Sequence, residues 1–238
     1  MVRPGYRVNE VVPVLPIFDA DPNKGLNAFD VFNPAWAIDW QRFVDLGKGV
    51  KPETDTDRVQ LAYKIDTAMV NPLSKLPPSV AGDEAVTDPR KMNLAFRNLL
   101  RGQILLLPSG QDVAHRMGLK EKQILRADRI FIGTADSGDG VTVPPENRKG
   151  IKNLKAHFDQ AFENDCPLWV YILAEARHRF YEKGSARLTG VGGRIVAETF
   201  VGLMKLDQTS LLHAPAAWKP ISGDSFRLAD LLNRALTV

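Results

Sequence analysis

One segment in the last third of the chain constrains the fold more than any other, because proline and glycine mark its two ends. The segment PLWVYILAEARHRFYEKG has Pro167 at its first turn and Gly184 just past its last. Proline is favoured at the start of a helix and glycine after its end, so this segment predicts one long helix. The following segment, GVGGRIVAETFVGLMKLD, predicts a second helix whose glycines permit close packing. No strand precedes these glycines and no Lys-Ser/Thr follows them, as a phosphate-binding loop requires.

Helical periodicity recurs along the chain, whereas no segment shows convincing strand alternation. The sequence therefore predicts an all-α fold, mainly helical, with long irregular connections. Ser109 is predicted to cap one short helix, and Asp224 or Ser225 to cap the last. Besides the two helices above, helices are predicted at residues 35–47, 58–69, 90–105, 110–118, 120–125, 153–165 and 226–236.

Prolines shape the expected irregular parts. They recur too often in residues 1–34 for a helix, so this segment is predicted to be extended, and residues 71–89 are predicted to form a loop for the same reason. In the helix predicted at 35–47, the apolar side chains of Trp36, Trp40, Phe43 and Val44 fall on one face.

The composition excludes several classes of protein. The 238 residues carry a net charge of +3 without a Lys/Arg stripe interleaved with aromatics, so no nucleic-acid partner is predicted. The apolar runs are too short for a membrane span. The single cysteine, Cys166, excludes an internal disulfide and a CxxC metal site. It stands before a proline at a helix start, where a thiolate is stabilised in some enzymes, yet without a local catalytic signature a structural role is predicted.

Motifs for metal binding are also missing from the sequence. The four histidines, at positions 115, 157, 178 and 213, are isolated and none has HxxxH or HExxH spacing. Asp136 and Asp139 lie in the turn-rich segment 133–150, but their spacing does not fit an EF-hand. The sequence therefore predicts no metal ligands.

Two polar side chains interrupt the leucine-rich segment NLAFRNLLRGQILLLPSG, residues 93–110. Asn98 and Arg101 are three residues apart, which places them one turn apart on one face of a helix. One interpretation is that Asn98 bonds the backbone while Arg101 reaches solvent. The other is a polar site in a helix wall, where the amide orients a neighbour and the guanidinium binds an anion such as a carboxylate.

The same segment resembles a helix of the animal-type haem peroxidases, the superfamily of myeloperoxidase and the cyclooxygenases, which runs Asn-x-x-Arg and then Leu-Pro. Asn98, Arg101 and the Leu-Pro pair at 107–108 fall at that spacing. The charged Arg-Asp-His centre of the family motif is replaced by Gln-Ile-Leu at 103–105, as in bacterial members. The blocks DWQRFVDLG, KIDTAMVNPLSKLP and VGGRIVAETFVGLMKLD are also similar to the bacterial branch, so the resemblance covers nearly the whole chain.

The resemblance implies a haem cofactor and specific roles for this helix. In that family the asparagine hydrogen-bonds the free ring nitrogen of the proximal histidine, and the arginine lies near a haem propionate. Asn98 is therefore expected to orient the histidine and Arg101 to bind the propionate. Leu94 is expected to bind the cofactor together with Asn98 and Arg101.

The opening MVRPGYRVNEVVPVLPIFD resembles the segment that follows the proximal histidine, which in the family pattern stands two residues before the position of Met1. Residues 1–238 are therefore expected to be the C-terminal, proximal-side portion of a haem peroxidase domain, without axial or distal residues and inactive alone. No catalytic residue is assigned within the chain. The intact enzyme would reduce hydrogen peroxide while oxidising a small organic or halide donor.

The expected partner is the missing N-terminal half of such a domain. Its absence predicts incompletely covered apolar surface at Leu94 and on the face formed by Trp36 and Trp40. Two alternatives stay open. One is a fatty-acid dioxygenase of the same superfamily, and the other is a non-catalytic helical fragment or interaction module.

Overall fold

A computed structural model of the chain describes residues 8–9, 11, 34–47, 59–60, 64–69, 71–132, 152–153, 162–215, 219, 223 and 225–236. This part of the protein is mostly helical, which confirms the predicted all-α class. Its strand pairing consists of two antiparallel two-residue strands, β1 (Phe131–Ile132) and β2 (Lys152–Asn153). No helix in the described ranges is both long and apolar enough to cross a membrane.

Most of the described helices are short, and three of them are longer than ten residues. In chain order the α-helices are α1 (Asn71–Ser74), α2 (Pro78–Ala81), α3 (Glu84–Thr87), α4 (Leu94–Ile104), α5 (Gly110–Arg116), α6 (Leu168–Lys183), α7 (Gly190–Leu206) and α8 (Leu228–Ala235). Single 3₁₀ turns occur at Pro34–Trp36, Trp40–Arg42, Pro89–Met92, Glu121–Gln123, Ala127–Arg129 and Leu211–His213. The helices predicted at 90–105 and 110–118 and the two long helices of the last third are confirmed.

The chain divides into two compact units, and the larger contains Met1–Pro4 and Tyr63–Gly202. Its core is formed by α5, α6, the start of α7 and the 3₁₀ turns between β1 and α5. The fully enclosed side chains there include Ala114, Ile130, Tyr171 and Val191. The N–H of Gly110 donates to the carbonyl of Cys166 at 2.8 Å, so the start of α5 is joined to the segment that leads into α6.

Close packing between α6 and α7 depends on small residues, as the sequence predicted. A Cβ added to Gly192 would lie 2.5 Å from Cγ2 of Ile172. On the next turn of α6, the buried Glu175 carboxylate accepts the N–H groups of Val191 at 3.2 Å and Gly192 at 3.3 Å. Burial raises the pKa of Glu175, while these two hydrogen bonds act in the opposite direction. A side chain of α6 thus caps the first turn of α7.

The smaller unit contains Gly5–Ala62 and Leu203–Val238. Trp36, Leu46 and Leu232 are its buried apolar side chains among the described residues. The Asn233 side chain of α8 donates to the carbonyl of Leu46 at 3.3 Å, and this bond joins the two ends of the unit.

The prediction of a helix at residues 35–47 is wrong. The Asp39 carboxylate accepts the N–H of Gln41 at 3.2 Å and pairs with Arg42 at 3.2 Å, which starts a short 3₁₀ turn. A side chain that bonds nearby backbone competes with helix formation, so the segment folds as two separate turns. Trp36 and Trp40 therefore do not share a face, because Trp36 is 6% exposed and Trp40 is 42% exposed.

Other predicted elements also differ from the structure. The described part of 58–69 is not helical, and Asp66 accepts the N–H of Ala68 at 2.8 Å in a turn. Residues 71–89 form one-turn helices rather than only loop, since proline fits a first helical turn. The helix α8 begins after Arg227, and Asp230 closes its first turn by accepting the Arg227 N–H at 2.8 Å, so neither predicted cap applies. The segments 12–33, 133–150 and 154–161 lie outside the described residues.

Candidate functional site

A cleft of about 740 Å³ lies between α4 and the chain that enters α6, within the larger unit. Leucine and aromatic side chains form most of its wall, and its volume is in the range of clefts that hold small molecules or cofactors. On one side, α4 and the turn that follows it contribute Phe96, Asn98, Leu99, Leu100, Gly102, Gln103, Leu106, Leu107 and Ser109. On the other side, the segment that leads into α6 contributes Phe162, Asp165, Pro167, Leu168 and Trp169.

Local sequence explains how α4 is positioned in this wall. The Asn93 side chain caps the helix by accepting the N–H of Ala95 at 2.9 Å and of Phe96 at 3.3 Å. At the other end the chain turns sharply, with Leu106 at a φ of +52° and the Leu107 N–H bonded to the carbonyl of Gly102 at 3.0 Å. Ser109 then caps α5 by accepting the Asp112 N–H at 3.0 Å, as predicted.

The structure separates the three residues predicted to bind a cofactor. Asn98 lines the cleft, partly buried, and its side-chain amide makes no hydrogen bond with any described residue. Arg101 and Leu94 do not line it. Arg101 is exposed, without an ion pair to the described part of the chain, and Leu94 is partly buried. The spacing of three and four residues keeps all three on one side of α4, but only Asn98 is among the described lining residues, and the roles of the three toward a cofactor stay predictions.

The rim of the cleft carries exposed apolar side chains. Ile104 is 70% exposed and Leu106 is 86% exposed, and their neighbours Leu105 and Leu107 are also exposed. This run, Ile104–Leu107, is referred to below as the leucine rim. The sequence predicted incompletely covered apolar surface at Leu94, Trp36 and Trp40. Trp40 is exposed and Leu94 is partly covered, as predicted, but Trp36 is buried. The sequence did not single out the leucine rim.

The charged group among the described residues of the cleft wall is acidic. Asp165 is exposed and its carboxylate makes no ion pair with any described residue, and the described lining contains no Lys, Arg or His. The remaining polar side chains are the amides of Asn98 and Gln103 and the hydroxyl of Ser109, which already bonds the Asn164 carbonyl and the Asp112 N–H. The described lining is thus mainly apolar, with one carboxylate and with two amides that make no hydrogen bond with a described residue.

Two buried polar residues beside the cleft were missed by sequence reasoning. The Gln111 amide accepts the Cys166 N–H at 3.0 Å and donates to the Leu125 carbonyl at 3.2 Å. The Tyr171 hydroxyl accepts the Leu125 N–H at 3.0 Å. The partner residues, Cys166 and Leu125, are distant in sequence, and no local pattern around Gln111 or Tyr171 predicts these hydrogen bonds. Gln111 thus holds the backbone between Asp165 and Pro167, and both side chains hold the backbone of Leu125.

Cys166 is fully buried in the core, and its thiol donates weakly to the carbonyl of Pro167 at 3.7 Å. Burial, together with the charge of Asp165, raises the pKa of the Cys166 thiol from 9.0 to about 12. A stabilised thiolate at this helix start is therefore contradicted, and the structural role is supported.

Cys166 should react slowly with iodoacetamide in the native protein at pH 8 and quickly after unfolding in urea. Because its pKa is higher in the folded state, the folded state favours the protonated thiol, and stability should fall as the pH rises from about 9 towards 12. Tyr171 contributes in the same window, since burial raises its pKa to about 12. Mass spectrometry of the alkylated protein and urea unfolding at pH 8 and pH 10 measure both effects. Equal alkylation of native and unfolded protein would contradict the burial of Cys166.

None of the described histidines is among the residues that line the cleft. No group of three His, Cys, Asp or Glu side chains close enough to hold a metal ion occurs among them. His115 pairs with Glu121, His178 with Glu182, and His213 bonds the Lys205 carbonyl, all away from the cleft wall. An iron ligand for a haem beside Asn98 would have to come from residues outside the described ranges or from another chain.

Comparison with known proteins adds no relative. No family model, no curated protein and no solved structure matches this chain. The functional interpretation therefore depends on the motif spacing and on the geometry of the cleft.

Proposed function

We propose that this chain is the proximal-side portion of an animal-type haem peroxidase, which uses hydrogen peroxide to oxidise a small organic or halide donor. The observation that carries the proposal is the Asn98 amide, which makes no hydrogen bond with a described residue and lies in the wall of an apolar cleft of cofactor size. A free, partly buried amide in such a wall suits hydrogen bonding to an imidazole N–H. When bound, haem would supply the redox chemistry, and this chain would supply the orientation of its histidine.

Arg101 is the second residue of α4 that has a role in the proposal. It lies one helical turn beyond Asn98, and its guanidinium is exposed without an ion pair to the described residues. A carboxylate such as a haem propionate suits this group, because a guanidinium binds carboxylates through two parallel hydrogen bonds.

The leucine rim supports a partner that covers this side of α4. Four consecutive exposed aliphatic residues beside an open cleft are unusual for a self-sufficient surface. In the proposal, the N-terminal half of the peroxidase domain packs against this rim and brings the proximal histidine and the distal residues. The isolated chain is then expected to bind haem weakly and to show no peroxidase turnover.

The role of Arg101 is tested by haem titration of the chain with imidazole added as the missing iron ligand. Arg101→Ala should weaken binding of haem about tenfold, because it removes a charge-assisted pair with a carboxylate. It should leave binding of haem dimethyl ester unchanged, since the ester has no carboxylates. Absorption of bound haem at equilibrium gives both affinities.

Arg116→Ala is the matched control, because Arg116 is another exposed arginine at the C-terminal end of a neighbouring helix. It should change neither affinity. If Arg101→Ala and Arg116→Ala weaken haem binding equally, Arg101 acts only through net charge and the propionate contact is wrong.

A further inference from the structure

We infer that the cleft beside α4 is a binding site for a small apolar molecule that carries a protonated amine, with Asp165 as its counter-ion. This inference does not depend on haem, because it rests on the apolar lining of the cleft and on the Asp165 carboxylate. It concerns the haem-free chain, because haem bound beside Asn98 would fill the same cleft.

The shape and lining of the cleft favour an organic molecule of modest size. A volume of about 740 Å³ is large enough for one or two ring systems with a short side chain. Trp169 and Leu168 form the wall on the α6 side, and Phe96, Leu99 and Leu100 form the wall on the α4 side. Burying apolar surface between these walls gives the main part of the binding free energy.

The charge of the cleft selects the polar group of the ligand. Among the described residues of the wall, Asp165 is the charged one, and it makes no ion pair with described residues. The two arginines of α4, Arg97 and Arg101, are not among the described lining residues. An ammonium group placed at Asp165 would gain a charge-assisted hydrogen bond, while a carboxylate there would be repelled. Trp169 adds a π-face that attracts a cation but not an anion.

The free amides orient the rest of the molecule without changing this preference. Asn98 and Gln103 each offer a carbonyl oxygen and an NH₂ group, and neither is bonded to a described side chain. The carbonyl oxygen of each amide accepts a hydrogen bond and the NH₂ group donates one, so the amides do not distinguish an amine from an acid. Asp165 alone makes that distinction.

Three probes of matched shape test the inference with the full chain: phenylpropylamine, phenylpropanol and phenylpropanoate. Calorimetric titration should give the order amine, alcohol, acid, with the amine binding roughly tenfold more tightly than the alcohol. Asp165→Asn should remove that preference and leave the alcohol unchanged. Asp112→Asn, which alters an exposed aspartate of α5 outside the lining, is the control and should keep the wild-type order.

Several results would overturn the inference. These are acid binding as tight as amine binding, an unchanged amine preference in Asp165→Asn, or no binding of any probe at millimolar concentration. Failure here is distinguishable from failure of the haem proposal, because imidazole-dependent haem binding is read through Asn98 and Arg101 and not through Asp165.

Discussion

Gly110→Ala should destabilise the larger unit by about 3 kcal/mol or more. An added Cβ would lie 2.6 Å from Cδ2 of Tyr171 and closer still to its Cγ, with no room to relax. Tyr171 is fully buried, and its hydroxyl is held by the Leu125 N–H. Overpacking a well-filled core costs typically 1–3 kcal/mol, and a clash with an immobile ring belongs at the upper end or beyond. Urea unfolding followed by circular dichroism measures the change.

Gly202→Ala is the matched control, because nothing lies within 4 Å of a Cβ added at this helical position. Alanine there should stabilise α7 by roughly 0.5–1 kcal/mol, since glycine is the poorer helix former. If Gly110→Ala proves as harmless as Gly202→Ala, then α5 and α6 do not approach as closely as described.

Gln111→Leu should cost about 2–5 kcal/mol, because it leaves two buried backbone groups without partners. The Cys166 N–H and the Leu125 carbonyl each lose the hydrogen bond that the Gln111 amide provides. An unpaired buried polar group costs about 1–3 kcal/mol. The same unfolding experiment, with hydrogen exchange of the Cys166 amide, follows both the loss of stability and its location.

Gln103→Leu is the control for the change of side chain. Gln103 is exposed near the end of α4 and makes no side-chain hydrogen bond with described residues, so the expected change is within about 0.5 kcal/mol. A cost below about 1 kcal/mol for Gln111→Leu would show that water replaces the amide and that the site is less enclosed than described.

Sequence reasoning succeeded where local signals set the structure. Pro167 and Gly184 bound α6, and Ser109 caps α5, because these effects act within one helical turn. It failed at 35–47, where the apolar spacing of Trp36 and Trp40 suits a helix. There the Asp39 side chain bonds the following backbone instead, and a hydrophobic pattern cannot reveal that competition.

The candidate site was predictable only in part for the same reason. Asn98 was found from its spacing and lies in the cleft, whereas Arg101 and Leu94 share its helix but not its wall. Tertiary packing rather than a sequence motif places three other residues in or beside the cleft: Gln111, Tyr171 and Asp165. Their partners are distant in sequence, so only the three-dimensional structure brings them together.

The central proposal, that Asn98 orients an iron-bound imidazole, is tested most directly by a comparison of two added ligands. Haem is titrated into the chain in the presence of imidazole or of N-methylimidazole, which binds iron but has no N–H to donate to an amide. Binding to the chain should be about tenfold tighter with imidazole, after correction for haem and ligand without protein. Asn98→Leu should abolish the difference while leaving the fold intact. Equal affinities with the two ligands in the wild-type chain would contradict the proposal.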